Sequence, residues 1–175
     1  MKYIVYILLF FPVWVTAQTY KYIGIEDGLS NRRIFNIQKD AQGYMWFLTN
    51  EGMDRYNGKD IKHYQLNKEG NTLDAPIRLG WLYTEPHIGI WVIGKQGRIF
   101  QYDANKDDFR MVYRLPDTSE TISCGYLDRN NNIWLCRKDT ILLYNIKDAR
   151  IFQFSNIFHT SITAIEQVDE HHFFI

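Results

Sequence analysis

The sequence has few cysteines and prolines and no net charge. Of 175 residues only two are cysteine and four are proline, which excludes a disulfide-rich framework. Lysine plus arginine and aspartate plus glutamate number 20 each, so the net charge is zero. This balance gives no broad electrostatic attraction to nucleic acid, and we expect this segment to bind none.

Sequence motifs for catalysis and metal binding are also lacking. There is no G-x-S-x-G, no H-E-x-x-H and no phosphate-binding glycine loop. The five histidines are scattered, and the adjacent pair His171 and His172 would point to opposite faces of a strand. We therefore expect no catalytic residue, no metal site and no cofactor in this chain.

A long apolar run occurs only at the N-terminus. Lys2 precedes an apolar run from Tyr3 to Val15, and the small residues that end at Ala17 are typical of a cleavage site. The run is shorter than the roughly 20 residues of a spanning helix, although an uncleaved anchor is the alternative. We predict a signal peptide over residues 1–17 and an exported domain over residues 18–175.

Aromatic residues are abundant, at 16% of the chain, and they favour β structure. Three segments align on a tryptophan, with spacings of 45 and 43 residues. An acidic residue stands six positions before each tryptophan, and a tyrosine follows ten or eleven positions later. In chain order the tryptophans are Trp46, Trp91 and Trp134, the acidic residues are Asp40, Glu85 and Asp128, and the tyrosines are Tyr56, Tyr102 and Tyr144.

This period predicts an all-β fold, a β-propeller of four-stranded antiparallel blades. About three and a quarter blades are present, over about residues 26–66, 67–114, 115–156 and 157–175, where Phe174 takes the tryptophan position of a fourth copy. In the first blade we predict strands over about residues 33–39, 44–49, 52–56 and 60–65. The N-terminal segment Thr19 to Ile25 is predicted to be a strand that pairs with sequence outside this chain, not with the first blade.

The repeated residues have a structural interpretation. Large rings at equivalent positions fill the space between neighbouring blades, with ligand stacking as the alternative. Acidic residues that recur at a turn indicate turn chemistry more than acid–base catalysis. Trp81 lies outside the repeated position, and Arg32 and Arg33 could sit at the propeller mouth, so these three are the candidate ligand-binding residues.

The first blade resembles a known family. Asp27, Gly28, Leu29 and Ser30 are similar to its "dGLs" element, and the repeat then continues with a set of matching residues: Asp40, Gly43, Trp46, Thr49, Gly52, Arg55, Tyr56 and Gly58. The later blades match less well, since Gly94 and Arg137 replace the threonine. These residues are similar to those of the two-component regulator propeller family.

The resemblance implies a larger protein. Family members are hybrid two-component regulators with seven-bladed propellers, a membrane span, a histidine kinase and a receiver, and they sense glycan-derived oligosaccharides. By this resemblance the chain is an N-terminal fragment of a periplasmic sensor tethered to the inner membrane. Its partners would be an oligosaccharide, the remainder of the same polypeptide and a second copy in a homodimer. The parent would be a histidine kinase, but this chain would not be an enzyme.

Two other functions fit a propeller, because fold alone does not determine function. One is a polysaccharide lyase or glycosidase, and the other is a protein–protein interaction scaffold.

The two cysteines lie on either side of one turn. If Leu127 faces Ile133, then Cys124 faces Cys136. A disulfide and two free buried thiols are both compatible with that register, and we predict free thiols with a packing role.

Overall fold

The computed structural model of the protein describes residues 20–66, 79–116 and 120–175. The predicted signal peptide lies outside the described residues, as does Thr19 of the predicted N-terminal strand. Residues 20–24 are assigned to no strand and pair with no described strand of the first blade, and Ile25–Asp27 form a short 3-10 helix. The strand prediction is therefore wrong at Ile25, and the pairing of the segment with sequence outside this chain stays a prediction. Gly28 ends this helix with a φ of 105°, a conformation that favours glycine.

The described residues form three four-stranded antiparallel sheets and one two-stranded sheet. The first sheet consists of β1 (Ile34–Lys39), β2 (Met45–Thr49), β3 (Met53–Tyr56) and β4 (Ile61–Tyr64). The second consists of β5 (Leu79–Glu85), β6 (Gly89–Gly94), β7 (Arg98–Asp103) and β8 (Asp108–Arg114). The third consists of β9 (Cys124–Leu127), β10 (Asn132–Cys136), β11 (Thr140–Asn145) and β12 (Arg150–Ser155). The short strands β13 (Glu166–Gln167) and β14 (Phe173–Phe174) form the fourth sheet.

Each four-stranded sheet is a simple up-and-down meander, so its strands lie side by side in chain order. The first strands of successive sheets are neighbours, since β1 contacts β5 and β5 contacts β9. The three sheets are therefore arranged as the blades of a propeller with their first strands innermost. The all-β prediction is confirmed, and the strands predicted for the first blade agree with β1 to β4 to within one residue at each end.

The core lies between the blades rather than within one of them. Trp46 and Leu48 of the first blade pack in one cluster with Leu82 and Val92 of the second. Trp91 of the second blade packs in another cluster with Tyr144 of the third. Each blade has apolar side chains on both faces and buries them only against its neighbours. Within the described ranges, no helix is long and apolar enough to cross a membrane.

The repeated tryptophans and tyrosines are not equally buried. Trp46 and Trp91 are buried between blades, whereas Trp134 is half-buried and packs on Phe173 with ring centroids 5.0 Å apart. Tyr102 packs edge-on against Trp46 of the preceding blade. Tyr56 has no preceding blade in the described part of the chain, and its hydroxyl contacts Lys21 of the N-terminal segment instead.

Candidate functional site

The acidic residue of the repeat organises the first turn of its blade. Oδ1 of Asp40 accepts hydrogen bonds from the backbone N–H groups of Gln42 at 3.0 Å and Tyr44 at 2.9 Å. Its other oxygen, Oδ2, accepts from the indole N–H of Trp46 at 2.7 Å. Gly43 completes the turn with a φ of 91°. One carboxylate thus closes the turn and satisfies an otherwise buried indole donor.

The third blade repeats this arrangement. Asp128 accepts from the backbone N–H groups of Asn130 and Asn132 at 2.9 and 2.8 Å, and from the indole N–H of Trp134 at 2.8 Å. Asn131 takes the left-handed conformation with a φ of 64°, which asparagine tolerates better than most residues. Both carboxylates therefore act as turn acceptors, which is the role predicted for them from their recurrence.

The second blade departs from the pattern. The indole N–H of Trp91 donates to the carbonyl of Ile88 at 2.8 Å, so it needs no acidic partner. Glu85 forms the last residue pair of β5 and β6 with Gly89, and its side chain lies at the exposed rim. The alignment of Glu85 with Asp40 and Asp128 is thus correct in sequence position but not in hydrogen bonding.

Ser30 of the dGLs element is anchored to the first blade. Its backbone N–H and its hydroxyl both lie 2.8 Å from Oδ2 of Asp54, a carboxylate with no solvent exposure. The Ser30 hydroxyl also lies 2.9 Å from that of Thr49, and His63 Nδ1 lies 2.7 Å from Oδ1 of Asp54. The element therefore fixes the segment that leads into β1.

This group contains a serine, a histidine and an aspartate but is not arranged as a catalytic triad. In a triad the histidine lies between the serine and the carboxylate, so that it can take the serine proton. Here Asp54 lies in the middle and bonds both Ser30 and His63. The geometry favours a structural role for Asp54 in the polar network of the first blade.

Asp107 joins the first two blades. Its carboxylate accepts from Arg55 at 2.9 Å and from Lys62 at 2.5 Å, both in the first blade. It also accepts from the hydroxyls of Tyr64 at 2.7 Å and Tyr102 at 2.5 Å. The hydrogen bonds from Lys62 and Tyr102, with smaller contributions from Tyr64 and Arg55, hold the pKa of Asp107 well below its usual range.

Asp107 was not predicted from the sequence. It lies outside the repeated positions, in the turn between β7 and β8, and it has a φ of 47°. The left-handed conformation directs its carboxylate toward the first blade at the cost of some backbone strain. Three of its partners, Arg55, Lys62 and Tyr64, lie more than forty positions away in sequence, and the fourth, Tyr102, lies five positions away. Only the pairing of blades brings them together.

The three candidate ligand residues are placed separately. Arg32 and Arg33 are exposed at the start of β1, and the Arg33 guanidinium lies 5.0 Å from the centre of the Phe35 ring. Trp81 lies near the start of β5 and packs partly into the core. A β-carbon added to Gly125 of the third blade would come within 2.7 Å of the Trp81 ring. In the described part of the chain, no hydrogen bond or ring contact joins either arginine to Trp81.

The histidine pair contacts one carboxylate, that of Asp169. His172 Nδ1 lies 2.9 Å from Asp169, and the backbone N–H of His171 donates to the same carboxylate. Among the residues described here, no three His, Cys, Asp or Glu side chains are grouped so as to hold a metal ion.

The cysteine register predicted from the turn is confirmed. Leu127 lies opposite Ile133, and Cys124 lies opposite Cys136. Both thiols are free and buried, in a cluster with Ile141, Ile162 and Ile165.

Meandering four-stranded blades that pack against one another, two of them with a tryptophan held by a first-turn carboxylate, define this chain as part of a β-propeller. Residues 28–51 match the sequence model of the family described as two component regulator propeller. The match covers part of the dGLs element and the first two strands of the first blade, where the resemblance was predicted. No curated protein is similar enough in sequence to be counted as a match.

Solved structures support the fold. Two are extracellular domains described as parts of hybrid two-component systems from B. thetaiotaomicron. The first has 21% identity and a TM-score of 0.60, and the match covers 77% of this chain and 20% of that one. The second has 18% identity and a TM-score of 0.67, over 83% of this chain and 19% of that one. A streptogramin B lyase has 21% identity and a TM-score of 0.52, over 69% and 40%. This chain therefore spans about a fifth of the length of the two extracellular domains.

Proposed function

We propose that this chain is the ligand-sensing portion of an exported two-component signalling protein, and that its ligand is an oligosaccharide derived from a glycan. The match of residues 28–51 to the two-component regulator propeller repeat carries this proposal. The similarity in fold to extracellular domains of hybrid two-component systems supports it. The ligand would shift a conformational equilibrium, and the remainder of the polypeptide would pass that shift to a histidine kinase.

The ligand would bind at the start of the inner strands. Ser30 is held by Asp54 through two hydrogen bonds, and Asn31 accepts the backbone N–H of Arg33 at 2.8 Å. The loop that carries Arg32 and Arg33 is thus held to the blade at Ser30 and braced by one internal hydrogen bond, while the two arginines remain exposed. A preorganised loop loses less entropy when it binds. Paired guanidinium groups suit a carboxylate or sulfate on a sugar.

Trp81 could contribute a ring edge near the start of the next inner strand. Most of its contacts are to the core and to Gly125, so we expect it to contribute less than the arginines. We assign it to the wall of the binding site rather than to its centre.

A binding measurement tests the ligand site. The natural polypeptide that carries this sequence is titrated with a chondroitin sulfate tetrasaccharide, which bears carboxylates and sulfates, and with neutral cellotetraose. We expect the anionic sugar to bind more tightly, and the double substitution Arg32→Ala with Arg33→Ala to weaken it by about 10- to 100-fold. Arg129→Ala, an exposed arginine in the β9–β10 turn, is the control and should change nothing. Equal binding by all three proteins would refute the assignment.

The signalling role has a separate test. We expect the reading frame that contains codon 175 to continue into a histidine kinase. Adding the ligand should then change the autophosphorylation of the natural polypeptide. For the enzyme alternative, the structural similarity to a streptogramin B lyase concerns the fold alone. Cleavage of a polysaccharide by the propeller, abolished by substituting one carboxylate or histidine, would favour the enzyme instead.

A further inference from the structure

A cavity of about 270 Å³ lies between the first two blades. Its sides are the first turn of the first blade, around Gln42, and the first turn of the second blade, between Glu85 and Gly89. These turns follow the ends of β1 and β5, whereas Arg32 and Arg33 precede the start of β1. The cavity is thus at the opposite end of the inner strands from the proposed sensing site, and the inference drawn from it does not depend on that proposal.

The walls of the cavity are preformed. The half-buried Tyr44 and Tyr102 provide its accessible aromatic surface, and the fully buried Trp46 borders it. Asp40 holds the turn that carries Tyr44. The hydroxyl of Thr84 donates to the carbonyl of Lys39 at 3.0 Å, which ties the two blades together beside the cavity. A ligand would therefore find the site already built.

Three polar groups at the cavity have no protein partner. The hydroxyl of Tyr44, the side-chain amide of Gln42 and the carboxylate of Glu85 line it, and no hydrogen bond or ion pair within the described residues uses any of them. Together they offer hydrogen-bond donors and acceptors above a largely apolar wall. That combination suits a ligand with an apolar face and several hydroxyl groups.

The charges around the cavity favour a neutral ligand. The Arg55 guanidinium already lies over the rings of Tyr44 and Trp46, at 4.8 and 5.5 Å from their centres. A cationic ligand would have to approach this guanidinium. An anionic ligand would meet the carboxylates of Asp40 and Glu85 in the same wall. The volume lies near the lower limit of about 300 Å³ for small-molecule pockets, so one ring fits.

We infer that the cavity between the first two blades binds a single neutral sugar ring. One face of the pyranose would pack against the apolar wall around Tyr44 and Tyr102, beside the Arg55 guanidinium, and its hydroxyls would bond Gln42, Tyr44 and Glu85. Small ligands of this kind bind with millimolar dissociation constants, because few atoms contribute. The site would hold one residue of a glycan chain or a free monosaccharide.

Saturation-transfer NMR on the natural polypeptide tests the inference, with D-glucose, D-galactose and N-acetyl-D-glucosamine as separate probes at about 10 mM, well above the expected dissociation constant. At least one sugar should bind. Ala41→Trp and Ala104→Trp, two substitutions at the wall, should each reduce the affinity more than tenfold, and Glu85→Gln should reduce it several-fold. The control substitution Ala164→Trp is exposed and distant in the fold, and it should have no effect.

The outcomes separate this site from the proposed sensing site. The double substitution Arg32→Ala with Arg33→Ala should leave monosaccharide binding unchanged, whereas a loss on that substitution would place the sugar at the sensing site. Absence of binding by all three sugars would overturn the inference. So would binding that survives both tryptophan substitutions in proteins whose thermal unfolding matches that of the parent.

Discussion

The indole N–H of Trp46 donates to Oδ2 of Asp40 at 2.7 Å, six residues earlier in the chain. The same relationship holds between Trp134 and Asp128 at 2.8 Å. In both blades the other carboxylate oxygen closes the turn that places the tryptophan strand. The repeated spacing in sequence thus reflects one carboxylate that sets both a turn and the position of the ring that packs against the next blade.

Replacing Asp40 should destabilise the protein. Asp40→Ala removes the acceptor of two backbone N–H groups and leaves the indole N–H of the buried Trp46 without a partner. We expect a loss of about 2–3 kcal/mol in the free energy of unfolding, measured by urea denaturation of the natural polypeptide. Glu85→Ala is the matched control, because Trp91 bonds the carbonyl of Ile88 instead, and it should cost less than about 0.5 kcal/mol. Equal losses for the two variants would contradict the turn mechanism.

Much of this arrangement could be predicted from the sequence, because it is local. Residues within one blade determine the turns at Asp40 and Asp128 and the opposition of Cys124 and Cys136. The tryptophan period repeats from blade to blade. The partner of the N-terminal segment could not be predicted from this sequence alone. Its alternating Tyr20 and Tyr22 are typical of a strand, and within the described residues they are exposed and pair with no sheet edge.

Contacts between blades could not be predicted either. The carboxylate of Asp107 binds residues of another blade, and no repeated spacing marks it. The cavity beside Tyr44 likewise forms only where two first turns meet. Trp81 is outside the repeated position, yet it packs largely in the core, because the small Gly125 of the next blade leaves room for its ring.

Asp107 should make stability depend on pH. Its pKa is depressed in the folded protein, so its ionised form contributes stability that is fully present above the unfolded-state value of about 3.9. That contribution is lost as the pH falls below this value toward the folded-state pKa. Asp107→Asn should therefore cost about 1 kcal/mol at pH 7, a modest value because the side chain is 41% exposed. The cost should shrink at pH 3.

Thermal unfolding of the two proteins at pH 7, 5 and 3 measures this difference. Asp148→Asn is the control, since Asp148 lies in an exposed turn, and its effect should not change with pH. A cost for Asp107→Asn that stays constant across the range would show that the carboxylate charge does not hold the blades together.

Two glycines with positive φ should respond differently to alanine. Gly43 has a φ of 91° and no atom within 4 Å of an added β-carbon, so Gly43→Ala should cost only the backbone strain of about 1–2 kcal/mol. Gly97 has a φ of 73°, and an added β-carbon would lie 2.0 Å from Leu115 Cδ1. Gly97→Ala should cost clearly more, because Leu115 is buried and must move. Chemical denaturation of both variants gives the comparison, and equal costs would refute the role of Leu115.

The chain on its own should associate. Phe35 and Ile37 of β1 are 41% and 48% exposed, and Phe174 of β14 is 72% exposed. Apolar residues at both ends of the blade series, with unpaired strand edges, favour contacts between copies. Purified residues 18–175 should elute as oligomers or aggregates in size-exclusion chromatography. A monomer with a single cooperative thermal transition would contradict this expectation.

The two cysteines should remain unoxidised in the natural polypeptide. The backbone N–H of Asp128 donates to the carbonyl of Asn132 at 2.9 Å, which makes that opposed pair a hydrogen-bonded one. Pair types alternate along an antiparallel ladder, so Cys124 and Cys136, four steps further, also form a hydrogen-bonded pair with Cα atoms about 5.5 Å apart.

Opposed β-carbons in a ladder are about 4.5–5.5 Å apart and lie closer in the other pair type, whereas the β-carbons of a disulfide lie about 3.8 Å apart. Mass spectrometry of unreduced protein should show both thiols alkylated only after unfolding, and a two-hydrogen mass deficit in the peptide that contains Cys124 and Cys136 would show that they are bonded.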